Sequence, residues 1–186
     1  MRFVSRRRSV MGAMALLGTL ALAGCAPPAP QAPSPTATDA PVFASDAEAL
    51  AAATEAYAAY LALSDQISRE GGADSNRMAA LVSKDVLDEE LSGFDQFRSA
   101  GAHSVGETTF SVAKLQSAEY TTSRRTIISL YICEDVSGVD VLDATGASLV
   151  SAERNPITPF EVRFEMSQRS SLVLAERSAW AGETFC

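Results

Sequence analysis

The chain has a single histidine, His103, the residue best suited by type to proton transfer. Imidazole is the side chain whose ordinary pKa lies near neutrality, so it can both take and give a proton there. Asp65, Tyr57 and Tyr60 are the groups it could work with. Tyr57 and Tyr60 stand three residues apart, which places them on one side of a helix. They read either as core or as the lining of a pocket, and with His103 they make the candidate pocket set. His103 itself lies in Gly101-Ala-His-Ser-Val-Gly106, a glycine-bounded connection expected to be exposed. No catalytic residue is assigned. No serine stands in a Gly-x-Ser-x-Gly elbow and no glycine-rich phosphate loop is present. Asp135, Asp140 and Asp143 do not follow the spacing of a calcium loop and read as a solvated hairpin. No cofactor or metal site is expected.

The three cysteines divide by position. Cys25 follows an apolar run near the N-terminus. Cys133 and Cys186 remain, and no Cys-x-x-Cys occurs. In an exported protein an even remainder suggests a bridge, here between the last residue and a strand about fifty residues upstream. Two free thiols or a redox site are the alternatives. With one histidine, two cysteines cannot complete an ordinary zinc set.

The N-terminus supplies the reason to expect export. Arg2, Arg6, Arg7 and Arg8 precede an uncharged apolar run from Val10 to Ala23, shorter than the roughly 20 residues of a membrane span. A basic head, a short apolar core and small residues make a signal peptide. The end, Leu22-Ala23-Gly24-Cys25, resembles the bacterial lipobox, in which the cysteine thiol takes a lipid and cleavage falls just before it. The expectation is a signal peptide over residues 1–24 and a lipid-bearing Cys25. An ordinary secretory peptide and an uncleaved anchor are the other readings. Arg7-Arg8 is compatible with a twin-arginine signal or with the basic head of any leader. Residues 25–42 carry proline at 27, 28, 30, 33, 35 and 41, which makes them an extended tether. The folded unit is then residues 43–186, one domain, held on the extracytoplasmic side of the cell membrane.

The elements that would position any site change character along the chain. Leu50, Ala53, Tyr57, Tyr60, Leu61, Ser64 and Ile67 recur at helical spacing; Ser45 and Glu48 form a capping box and Gly71-Gly72 ends the run. Residues 74–100 predict a broken pair of helices. Met78, Leu81 and Val82 make one short face, and Val86, Leu87, Glu90, Leu91, Phe94 and Phe97 make the other. Ser83 starts the second helix and Gly101 ends it. Strands follow: 109–116, 125–133 as a central strand, 139–142 and 148–152 about the turn Asp143–Gly146, 160–167, and 172–180. Trp180 reads as packing over the terminal bridge, or else as part of a binding surface. Helices first and strands after predict an α+β domain, with N-terminal helices packed on one curved antiparallel sheet.

Charge narrows the partners. The formal net charge is −8, and loss of the four leader arginines would leave the mature chain more acidic still. Nucleic acid and anionic lipid surfaces are therefore poor partners.

This order of elements resembles the nuclear transport factor two-like (SnoaL-like) fold, a cone of helices against a bent sheet. More narrowly, the chain is similar to a group of small actinobacterial exported proteins and lipoproteins. The residues that carry the likeness are Gly101 to Gly106 with His103 and Val105, Cys133-Glu-Asp-Val-Ser-Gly138, Val139-Asp-Val-Leu-Asp-Ala-Thr-Gly146, and Trp180-Ala-Gly-Glu-Thr-Phe-Cys186. The resemblance covers most of residues 45–186. It implies a domain and a disulfide, and no activity, because this fold carries enzymes, binders and scaffolds alike. The function expected is a tethered, non-enzymatic module that binds an envelope protein; a small-ligand carrier or sensor using the cone pocket, and an enzyme using His103 or Asp65, are the alternatives.

Overall fold

The structure is a computed structural model and describes residues 41–122 and 126–186. The expected leader, Cys25, most of the expected tether and the pair Arg124-Arg125 lie outside the described residues. Helix α1 runs Asp46–Arg69, and a short 3-10 turn Ser75–Ala80 leads into helix α2, Lys84–Ala100. Six strands follow: β1 His103–Val105, β2 Thr109–Tyr120, β3 Thr126–Asp135, β4 Asp140–Leu142, β5 Ile157–Met166 and β6 Leu172–Ala179.

The helix ends follow from local chemistry. Ser45 Oγ accepts from Glu48 N at 3.2 Å, while Glu48 Oε2 accepts from Ala44 N at 2.8 Å. These bonds occupy donors that the first helical turn cannot use itself. Ser83 caps α2 by accepting from Val86 N. Gly101 closes α2 in the left-handed conformation. Gly72 also has positive φ, and a Cβ there would stand 2.3 Å from the Phe94 carbonyl oxygen. Only glycine lets the chain leaving α1 pass that close to α2.

The sheet is open and antiparallel in the order β2-β3-β5-β6. Alternation in β3 sends Ile128, Leu130, Ile132 and Glu134 to one face, with Val162 and Phe164 of β5 and Leu174 of β6 beside them. Against that face α1 lays Ala49, Ala53, Tyr57, Tyr60, Leu61 and Ile67, and α2 lays Val86 and Phe94. The core therefore lies between one sheet face and the helices, an α+β arrangement. Leu174 of β6 exchanges backbone bonds with Leu81 and Ser83, which covers that edge of the sheet. On β2, Val42 N donates to Tyr120 O at 3.1 Å, so the end of the expected tether is tied to the sheet.

The opposite face is covered in part by the C-terminal tail. Cys133 and Cys186 are joined in a disulfide with Cα atoms 5.7 Å apart. Tyr131 packs edge-on against Trp180 at 5.1 Å and against Phe185 at 5.3 Å. Trp180 thus packs beside the terminal bridge.

Two expectations about the strands need correction. The segment 148–152 is not a strand. Ser148 and Leu149 meet β4 briefly, and the chain then departs, drawn back by Arg154, whose Nη2 donates to the carbonyls of Val136 and Val139 at 2.9 and 2.8 Å. The sheet is also not single, because β4 pairs antiparallel with β1 in a separate two-stranded arch. His103 consequently sits half-buried in β1, opposite Leu142, and not in an exposed connection. Among the described residues no helix is long and apolar enough to cross a membrane.

Candidate functional site

The strongest polar feature is buried at the helix–sheet junction. Glu134 continues the inward-facing row of β3 and is only 5% exposed. A carboxylate so placed is costly unless its oxygens are met. Three donors meet it. The Tyr57 hydroxyl donates to Oε1, Arg177 Nε donates to Oε1 at 2.9 Å, and Arg177 Nη2 donates to Oε2 at 2.7 Å. The guanidinium lies 3.7 Å from the centroid of the Phe160 ring, which fixes its plane. Burial alone would lower the pKa of Arg177, but the hydrogen bonds and charge of Glu134 outweigh it and hold the group well above its ordinary value. Tyr57, fully buried and edge-on to Phe110 and Phe164, is pushed far up by desolvation and then by Glu134. It stays a neutral donor.

One helical turn along α1, Tyr60 repeats the pattern with a different carboxyl. Its hydroxyl donates to Glu90 Oε1 of α2 at 2.6 Å. Desolvation raises the Tyr60 pKa, with Glu90 adding to it. Desolvation also raises Glu90, against the lowering effects of the Tyr60 bond and the Arg177 charge. Glu134 therefore has a cationic partner in contact, whereas Glu90 has a phenol.

These groups open on a cavity of about 280 Å³. Its walls come from α1 (Tyr60, Leu61, Ser64, Asp65, Ser68), α2 (Glu90, Phe97), the β1–β4 arch (Ser104, Val141) and the sheet (Glu134, Arg177), with Thr108 and Val139 completing it. Asp65 is held by Thr108, whose N and Oγ1 each donate to it at 2.8 Å. That clamp separates the cavity from a wider groove of about 380 Å³ lined by Ala58, Ala62, Arg69 and Phe110 among others, which lacks the tyrosine–glutamate pairs.

Of the candidate residues, Tyr60 and Asp65 line the cavity, and Tyr57 supports its floor through Glu134. His103 does not line it. Neighbouring side chains on a strand point to opposite sides, so the turn of β1 that sends Ser104 into the cavity sends His103 away. Glu90, Glu134 and Arg177 were not anticipated. Two carried a signal: Glu90 interrupts the apolar face of α2 and Glu134 falls on the inward parity of β3. Arg177 carried none, because alternation from Leu174 would turn Glu176 inward and only a register shift in β6 puts Arg177 opposite Val162 instead. The two carboxyls can accept hydrogen bonds or a proton, and Arg177 can orient one of them.

No protein-family model matches the chain, and no curated protein matches it in sequence. Among solved structures it is similar to the intermembrane space region of the chloroplast protein ARC6, at 13% identity over 70% of this chain and 95% of that one, with a TM-score of 0.50. A de novo designed β-sheet protein aligns at 16% identity over 70% of this chain and 89% of its own, with a TM-score of 0.28, too low to carry any argument. The first likeness concerns fold alone. Fold and site together define a small α+β domain with a polar cavity between its helices and its sheet.

Proposed function

We propose that this chain is an exported lipoprotein whose domain binds a small polar ligand in the cavity between α1, α2 and the β1–β4 arch. The leader over residues 1–24 and the lipid on Cys25 place it on the extracytoplasmic side of the membrane, and the proline-rich segment spaces the domain from the lipid. We read the domain as a nuclear transport factor two-like cone whose mouth is this cavity. The helices-then-sheet order and the cavity's place between them support that reading.

The observation that carries the proposal is Glu90, a carboxyl turned into a cavity and met by a phenol alone. A purely structural carboxyl at a helix–sheet junction would be paired, as Glu134 is, or would be replaced by an apolar residue at lower cost. The volume lies near the lower end of small-molecule sites and suits a small ligand. The tethered module that docks an envelope protein is the second reading, and the anchor and spacer favour it. Against it, large exposed apolar side chains among the described residues are few: Val105, Leu149 and Ile157. An enzyme built on His103 has little support, since His103 does not face the cavity.

Native mass spectrometry of the protein released gently from its own membrane tests the proposal. A retained adduct below one kilodalton is expected. A stable second polypeptide in its place would move the account to the docking module.

A further inference from the structure

We infer that the ligand is a small primary amine, carried as its ammonium form, with the charge seated against Glu90. This rests on the cavity reading above and names the chemistry the cavity takes.

The walls hold three carboxyl side chains, Asp65, Glu90 and Glu134, and one cation among the described residues, Arg177. Arg177 is engaged in two bonds to Glu134, and Asp65 in two from Thr108. Neither is free to serve as the main contact of a ligand. Glu90 receives one hydrogen bond, on Oε1 from Tyr60, and no other side chain or backbone donor among the described residues reaches its carboxyl. Burial disfavours its charged form, and Arg177, the nearby cation, is already shared with Glu134. An ammonium brings three donors on one centre and a full positive charge, which is what Glu90 lacks. An anion would meet three carboxyls, and a neutral ligand would leave Glu90 without a counter-charge. Beside Glu90 stand Phe97, Leu61, Val139 and Val141, which give a short apolar body its contacts. The hydroxyls of Ser64, Ser68 and Ser104 can accept the remaining ammonium donors.

The test uses the full mature lipoprotein in detergent, titrated with n-butylamine and with its neutral analogue 1-butanol at pH 7. The readout is the amide NMR shifts of Ser64, Ser68, Ser104 and Thr108. Butylammonium is expected to bind at least about tenfold more tightly than butanol, the size of one charge-assisted bond. Glu90→Gln is expected to remove that preference while leaving the spectrum folded. A second measurement needs no variant. The butylamine affinity of the natural protein falls as pH drops and Glu90 takes up a proton. The charged and titratable groups around Glu90 are Tyr60 and Asp65 of α1, Glu89 of α2, Glu134 of β3 and Arg177 of β6. Equal binding of the two probes, or an amine preference that survives Glu90→Gln, overturns the amine inference and leaves the cavity reading standing. If neither probe shifts those amides, both fall together.

Discussion

Glu134 and Arg177 hold each other in place, and each would be a liability alone. Removing Arg177 leaves Glu134 buried, with Tyr57 as its remaining donor. Removing Glu134 leaves a half-buried guanidinium with Phe160 and the Tyr57 hydroxyl, 3.3 Å from its Nε, for company. Either Arg177→Ala or Glu134→Ala is therefore expected to cost about 3–5 kcal/mol in a urea melt. The double replacement Glu134→Ala with Arg177→Ala should cost clearly less than the sum of the singles, and strict additivity would mean that the two do not act as a pair. Glu90 behaves in the opposite sense. Its pKa is raised on folding, so the folded chain binds this proton more readily than the unfolded one. Glu90 thus weighs against folding above the ordinary glutamate pKa, and that cost fades as pH falls toward it. Glu90→Gln should raise the melting temperature at pH 7, with the difference shrinking near pH 4. A variant less stable than the natural protein at pH 7 would show that Glu90 serves the fold and not a ligand. A site residue that costs stability is the usual trade between function and folding.

At the scale of elements, the arch formed by β1 and β4 is what turns a helix–sheet crevice into a cavity. It depends on Gly106, where φ is +86° and a Cβ would stand 1.9 Å from the Gly138 carbonyl oxygen. Gly106→Ala should displace the Gly138–Val139 turn and cost about 1–3 kcal/mol, with faster hydrogen exchange confined to the arch. Exchange that instead rises across the whole sheet would show that the arch is not a separate unit. The terminal disulfide fastens the tail to the sheet face opposite the helices. Cys186→Ser should cost about 4 kcal/mol by the loop-entropy relation and shift Trp180 fluorescence to the red as the tail loosens from Tyr131. The helices were legible in the sequence because their ends are set by neighbours in the chain: Ser45, Ser83, Gly72 and Gly101 act within a turn or so. Of the arch, β4 was legible as the strand 139–142, but β1 was not, since three residues are too few for alternation to show and the glycines on either side read as an exposed connection. The segment 148–152 reads as a strand because it follows the turn Asp143–Gly146 across from 139–142, yet Arg154 binds the carbonyls of Val136 and Val139 and draws the chain away. The Glu134–Arg177 pair joins residues far apart in sequence, and only the register of β3, β5 and β6 brings them together.

For the whole molecule, the domain presents the solvent with the polar cavity between its helices and its sheet. Its acidic balance, the proposed anchor at Cys25 and the tether suit a domain that stands off from an anionic bilayer and samples small solutes near it. The fold-level likeness to the ARC6 region carries no activity across, so the weight of the account falls on the cavity itself. The most direct measurement is native mass spectrometry of three chains released from the same host membrane: the natural protein, Ser64→Phe and Glu89→Gln. Ser64 lines the cavity, and a phenyl ring there would fill it, whereas Glu89 lies exposed on α2 outside it. A small-molecule adduct is expected on the natural protein and on Glu89→Gln, and its loss from a folded Ser64→Phe. An adduct retained in full on Ser64→Phe, or no adduct on any of the three, would contradict the cavity reading.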